Sequence, residues 1–190
     1  RRQRQMCIRD RIITGIGQGF IQSTPIQLCL MTAQIANGGY KIYPKILTND
    51  DQKYKDKYKP LFKKSKNIKI IQKAMFSSTN ELRGTSYKSR IDNPKYQFAG
   101  KTGTAQVKRI TDKDRELDLK TFEIPYEERD HALYIAFGPY KNPRYATSII
   151  VEHGGSGGST AAPIAKKLFK LIIDRHKLRQ SVKEKKYLDI

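Results

Sequence analysis

The sequence predicts an α+β domain, an antiparallel sheet flanked by helices, and three observations carry that expectation. Two strand-like runs, His131 to Tyr140 and Tyr145 to Glu152, are separated by Lys141-Asn142-Pro143-Arg144, a turn of hairpin length. A third strand-like run lies upstream, from Phe98 to Val107. Helical patterns precede and follow the set, so helices and strands are segregated and do not alternate as in a parallel α/β fold. The chain has 190 residues, enough for one domain with a core of its own.

The first eleven residues, RRQRQMCIRDR, have neither periodicity nor turn chemistry. Gln5 to Arg11 resembles a translated transposon-end adapter from DNA sequencing libraries, and residues 1–11 are expected not to be native. The alternative is a basic N-terminal arm. The formal net charge is +20, and removing the five arginines and one aspartate of this segment leaves +16. Cys29 is then the one remaining cysteine, so the sequence gives no internal disulfide to expect and no redox compartment. No run of eighteen apolar residues occurs in the sequence.

Thr14 to Phe20 is a glycine-spaced turn, and Phe20 occupies the place where a dinucleotide fingerprint starting at Gly15 needs its third glycine. Ser23-Thr24 before Pro25 starts a helix, and Asn37-Gly38-Gly39 stops it. Ile26, Leu28, Cys29, Met31 and Ile35 predict that this helix is largely buried, with Cys29 a small core residue. Tyr40 to Leu47 reads as extended, and Asp50 to Lys66 as an exposed, lysine-rich loop. Asn67 to Phe76 predicts an amphipathic helix with Ile68, Ile71, Ala74 and Met75 on its apolar face. Ser78 to Asn80 and Gly84-Thr85 read as a polar turn leading to the Phe98 strand. Lys108 to Asp130, charged in both signs, reads as a long excursion. Gly154 to Gly158 reads as a flexible link, followed by a helix capped by Ser159 or Thr160. Its expected apolar face is Ile164, Ala165, Leu168, Leu171 and Ile172, and beyond His176 a basic tail is expected to fray.

Chemistry concentrates in Phe98 to Val107. On a strand, neighbouring side chains face opposite ways, so Thr102 and Thr104 share a face. Gly103 lets a ligand backbone approach closely. With the ammonium of Lys101, this is a site for an extended ligand that carries a carboxylate. His131 and His153 have no partners at zinc-like spacing and read as structural, so neither metal nor cofactor is expected.

Three longer stretches fix the context: GQGFIQSTPIQLCLMTAQIANGG, AGKTGTAQV and DHALYIAFGPYKNPRYATSIIVEHGGSGGSTAAPIA. Together they resemble the C-terminal part of the transpeptidase domain of class B penicillin-binding proteins, and the His-Gly-Gly-Ser-Gly-Gly run resembles the elongation-type members. The resemblance covers Thr14 to Leu171, weakly over Lys41 to Lys66 and Lys108 to Asp130. It implies a partial serine β-lactamase/transpeptidase-like fold lacking its N-terminal part, with residues 12–176 as the C-terminal portion and 177–190 as a basic tail. It also implies acyl transfer: a serine attacks the D-Ala-D-Ala bond of a peptidoglycan stem, releases D-alanine, and passes the acyl group to a neighbouring stem's amine.

Carried over residue by residue, Lys101 would be catalytic, holding a positive charge near the substrate carboxylate. Thr102 and Thr104 would hydrogen-bond that carboxylate or that of a β-lactam, with Gly103 keeping the strand open. The backbone N–H of Thr104 would be one oxyanion donor. The family's nucleophile motif, Ser-x-x-Lys, is absent, because none of the ten serines has a lysine three residues on. Ser78-Thr79-Asn80 matches the family's Ser-x-Asn in letters, but falls on the wrong side of the Gly-Gln-Gly region and reads as a chance match on a helix end. The nucleophile is therefore expected upstream of Ile12, and the chain alone is expected to be inactive. Implied partners are stem peptides, β-lactams in the full-length protein, and a cell-wall elongation complex with a polytopic glycosyltransferase. The implied location is the periplasmic face of the inner membrane, through an anchor outside this chain. The competing reading is a nucleic-acid-binding module, from the lysine run Lys53 to Lys73 with Tyr54, Tyr58 and Phe62 interleaved.

Overall fold

In the computed structural model the structure describes residues 14, 22–45, 58–108 and 119–188, with side chains described to residue 175. Most of the glycine-spaced turn at 15–20, and the lysine run before Tyr58, lie outside the described residues. Three strands form one antiparallel sheet in the order β1 (Ala99–Ala105), β2 (His131–Gly138), β3 (Tyr145–Val151). β2 stops ahead of Pro139, which has no N–H to pair, two residues short of the expected end at Tyr140.

Helix α1 (Pro25–Ala36) starts as its residues dictate. The Thr24 hydroxyl accepts the Gln27 N–H at 3.4 Å while the Gln27 side chain accepts the Thr24 N–H at 2.8 Å, a reciprocal capping box. It ends where Gly38 and Gly39 take φ of +93° and +89°, and Asn37 Oδ1 accepts the N–H groups of Gly39 and Tyr40. The expectation of a largely buried helix fails. Thr32 is its one fully buried residue, and Ile26 and Met31 are 55% and 42% exposed. The sequence is apolar most of the way round, but one stripe meets the sheet. Ile35 and Ala36 pack on the Met75–Ala99–Phe137 cluster. Cys29 points its thiol at the Ala146 carbonyl of β3, 3.4 Å away, and burial pushes that thiol's pKa up. That environment disfavours the thiolate, as a structural cysteine requires.

Tyr40 makes a single bridge to Pro60 and 41–45 belong to no strand, while residues 46 and 47 of the stretch expected to be extended lie outside the described residues. Helix α2 (Ser65–Asn80) outruns its predicted span at both ends and closes on Ser78 to Asn80, the helix end expected of that triplet rather than the start of a polar turn. Its buried stripe is Ile68, Met75 and Thr79, rotated from the expected one, and Ile71 is 40% exposed. Two polar residues cause the shift. Gln72 Nε2 donates to the Ile35 carbonyl at 2.7 Å, and Thr79 Oγ1 lies 2.9 Å from the Tyr134 hydroxyl. Residues that satisfy main-chain and hydroxyl partners can occupy a packed face that composition would reserve for aliphatics.

The supposed flexible link at 154–158 is an ordered part of the packing. Gly155 N–H donates to the Asp130 carbonyl at 2.8 Å, and Gly157 is buried. A π-helical turn, Gly157–Ala161, runs without a break into α3 (Ala162–Leu188), so neither Ser159 nor Thr160 caps it. Thr160 Oγ1 instead donates to the Gly154 carbonyl at 2.8 Å. The α3 backbone is helical to Leu188, past the point where fraying was expected. Its buried face is Ala162, Ala165, Phe169 and Ile173, whereas Ile164 and Leu171 are 44% and 64% exposed. Alanines let the helix lie close to the sheet, and Phe169 reaches across to stack on Phe98 with ring centroids 5.0 Å apart. Ile91, Phe98, Ala132, Tyr134 and Ala136 complete that core.

Gly157 is the tightest joint between α3 and the sheet. A Cβ there would fall on the main-chain oxygens of Leu133 and Gly103, which no rotamer change relieves. Gly157→Ala is expected to cost about 2–3 kcal/mol, the upper range for overpacking. A urea midpoint equal to the parent's would refute the close-packed turn.

Candidate active site

β1 lies at one edge of the sheet, pairing with β2 alone among the described strands. Along it burial falls from Ala99 and Gly100, both buried, to Thr104 and Ala105, both exposed. The strand is thus anchored at one end and open at the other. Gly100 sits under the Tyr134 ring, where any Cβ would overlap the Tyr134 hydroxyl. That hydroxyl is fully buried, with Thr79 Oγ1 at 2.9 Å and Ser86 Oγ at 3.0 Å. Desolvation pushes the Tyr134 phenol above its ordinary pKa, and the hydrogen bonds with Ser86 and Thr79 oppose this.

At the open end the four predicted residues follow one another. Lys101 is exposed, and its ammonium folds back along the strand to donate to the Thr102 carbonyl at 2.9 Å and Thr102 Oγ1 at 3.4 Å. It forms no ion pair among the described residues. Thr102 is half-buried. Its hydroxyl is 3.2 Å from Thr85 Oγ1, which is in turn 3.2 Å from Ser78 Oγ. On its other side a Cβ at Gly158 would come within 3.6 Å of the Thr102 methyl. Thr104 is exposed and two residues along, hence on the same face as Thr102. At Gly103 a Cβ would crowd Leu133 at 3.3 Å, so the bare glycine keeps the strand surface flat.

This arrangement offers an uncompensated cation, two hydroxyls on one face and an open strand edge. Those are the means to hold an extended ligand by its carboxylate and main chain. None of these groups is set against a general base, so binding and charge stabilisation are the chemistry within reach. His131, opposite Ala105 in the sheet register, and His153 beside it lie next to the open end of β1 and serve a main-chain role. The His153 N–H donates to His131 Nδ1 at 2.9 Å, and His153 Nδ1 is 3.1 Å from the Arg129 carbonyl.

Sequence reasoning missed the wall behind Thr102. Thr85 carries no motif, Ser78 stands in a triplet read as a chance match and Gly158 in a run read as a link, and the three meet through tertiary packing. The Ser78-Thr79-Asn80 triplet tethers α2 to the site strand and its neighbour, through Thr85, Tyr134 and the Phe98 carbonyl, which Asn80 Nδ2 reaches at 2.9 Å.

An edge strand bearing Lys-Thr-Gly, followed by an antiparallel hairpin and a closing helix, is the arrangement of a partial penicillin binding protein transpeptidase fold. The chain belongs to the penicillin binding protein transpeptidase domain family, whose profile matches residues 7–170. Among its relatives is the peptidoglycan D,D-transpeptidase MrdA of Salmonella typhimurium strain SL1344. It is 36% identical over 173 residues, covering 87% of this chain and 27% of the relative. MrdA of Escherichia coli K12 is 33% identical over 155 residues, covering 78% of this chain and 24% of that protein. The chain therefore spans about a quarter of the length of the curated relatives it matches. Two solved structures are also similar, each covering 85% of this chain. Pseudomonas aeruginosa PBP2, in complex with WCK 5153, has a TM-score of 0.67 and 34% identity over 33% of its own chain. Helicobacter pylori PBP2, in complex with MreC, has a TM-score of 0.67 and 33% identity over 27% of its own chain. The comparisons give the nucleic-acid reading no support.

Proposed function

We propose that this chain is the C-terminal part of a peptidoglycan D,D-transpeptidase of the elongation type, and that it supplies the carboxylate-binding wall of the catalytic cleft. The observation that carries this reading is the open edge of β1, where Lys101, Thr102 and Thr104 lie around Gly103. A stem peptide ending in D-Ala-D-Ala would lie along that edge. Thr102 and Thr104 would donate to its terminal carboxylate, and Lys101 would hold a positive charge beside it. The Thr104 N–H would face the scissile carbonyl oxygen as it becomes an oxyanion, alongside the N–H of a serine contributed by sequence outside this chain. That serine would form the acyl-enzyme and release D-alanine, and a second stem's amine would then displace it. Residues 1–11 would be foreign to the protein, residues 12–176 the domain portion, and 177–190 a basic tail. The whole protein would work at the periplasmic face of the inner membrane. It would sit in an elongation complex with an MreC-like partner and a polytopic glycosyltransferase.

Fluorescent penicillin tests the reading. Covalent labelling is expected for the protein that joins this chain to its upstream serine, and none for residues 1–190 alone. Labelling of the 190-residue chain would place a nucleophile within it. Failure to label the longer protein would overturn the transpeptidase reading.

A further inference from the structure

We infer that Thr85 is a positioning residue for the site, which it serves by setting the direction of the Thr102 hydroxyl; the inference rests on the function proposed above. A hydroxyl has one proton to give and two lone pairs to receive. Lys101 can only donate, so Thr102 Oγ1 accepts from its ammonium at 3.4 Å. Either hydroxyl of each following pair can donate; with no ligand bound, the Thr102 proton is free to go to Thr85 Oγ1 at 3.2 Å, and the Thr85 proton to Ser78 Oγ at 3.2 Å. The row runs Lys101, Thr102, Thr85, Ser78.

An arriving carboxylate accepts but does not donate, and it claims the Thr102 proton. Thr102 keeps both lone pairs filled if Thr85 reverses and donates to it, and Ser78 then donates to Thr85. The two hydroxyl–hydroxyl hydrogen bonds survive with their direction reversed, the bond from Lys101 is unchanged, and Thr102 gains one to the ligand. No heavy atom has to move. Packing keeps the row in line. Gly158 abuts both the Thr85 carbonyl and the Thr102 methyl, and a Cβ there would meet the former at 2.6 Å, so the Thr102 methyl is turned to the α3 side and its hydroxyl to Thr85. Thr85 and the Thr102–Lys101 end are accessible, so water competes with the row, and its contribution is that of a neutral hydrogen bond.

The test uses the full protein that joins this chain to its upstream serine. Thr85→Val keeps the shape and deletes the hydroxyl. Acylation by benzylpenicillin is expected to slow about fivefold, the equivalent of one neutral hydrogen bond, mainly through weaker binding before acylation. Thr85→Ser restores the row and is expected to recover the parent rate. A neutral ester of the same penicillin has no carboxylate to receive the Thr102 proton, and Thr85→Val is expected to leave its rate unchanged. Equal losses with acid and ester would assign Thr85 a merely structural part and overturn the inference. So would a parent-like rate for Thr85→Val with benzylpenicillin. A parent protein that labels with neither compound overturns the transpeptidase reading itself, and the inference with it.

Discussion

Replacing Lys101 with alanine in the full protein is expected to slow acylation by benzylpenicillin about a hundredfold, the low end for losing one preorganised charge-stabilising group. The reasoning starts from placement. Lys101 is exposed, so its removal leaves no cavity, and the melting temperature is expected to stay near the parent's. No acid neutralises the ammonium among the described residues, so its full charge is available to an anion on the strand. That charge strengthens when a bound ligand excludes water and the local dielectric falls. Arginine is expected not to rescue, because its planar fork cannot fold back onto the Thr102 carbonyl and hydroxyl as a compact ammonium does. Stopped-flow acylation across a range of penicillin concentrations is the measurement. A Lys101→Ala rate within about threefold of the parent would remove Lys101 from the catalytic role.

Phe169→Ala carries the largest expected effect on folding, a loss of about 3–5 kcal/mol. Phe169 is completely buried and stacked on Phe98, and it also fills the space beside Gly138, where a Cβ would meet its ring at 3.1 Å. On the N-terminal side its neighbours on the buried face of α3 are Ala165 and Ala162, which cannot extend to close the hole. Domains are stable by roughly 5–15 kcal/mol in total, so the loss removes a large share of the margin. The urea midpoint of the purified chain should fall accordingly, with α3 becoming the first segment open to protease. A drop below about 1 kcal/mol would mean that the helix does not depend on this ring.

The sheet was well marked in the sequence because its signals are local. The apolar, strand-forming run His131 to Gly138 and the Asn142-Pro143 turn need nothing distant to be read. The α1 boundaries were equally plain, since Thr24, Pro25, Gln27 and the glycine pair act within a few residues of themselves. Buried faces were harder. Which stripe of α2 turns inward depends on Gln72 and Thr79 finding partners at Ile35 and Tyr134, and on α3 the expected face held Ala165 but took Ile164 and Leu171 where the buried residues are Ala162, Phe169 and Ile173. In the site, Lys101 to Thr104 stood out because they are contiguous. Thr85 did not, because it stands 17 positions before Thr102 and only folding closes that gap.

The bare edge of β1 has one more consequence, which concerns crowding of the protein with itself. A strand edge open to a ligand's main chain is equally open to the same edge of another copy, and such pairing is the usual first step of sheet aggregation. Two β1 edges meeting antiparallel would bring two Lys101 ammoniums into one short ribbon with no acid between them. On the proposed function the lysine would discourage self-association while it invites a carboxylate, so its loss would remove both effects together. A Lys101→Ala protein therefore has to be sized before its rate is read, since oligomers would hide the edge as effectively as a missing charge would weaken it.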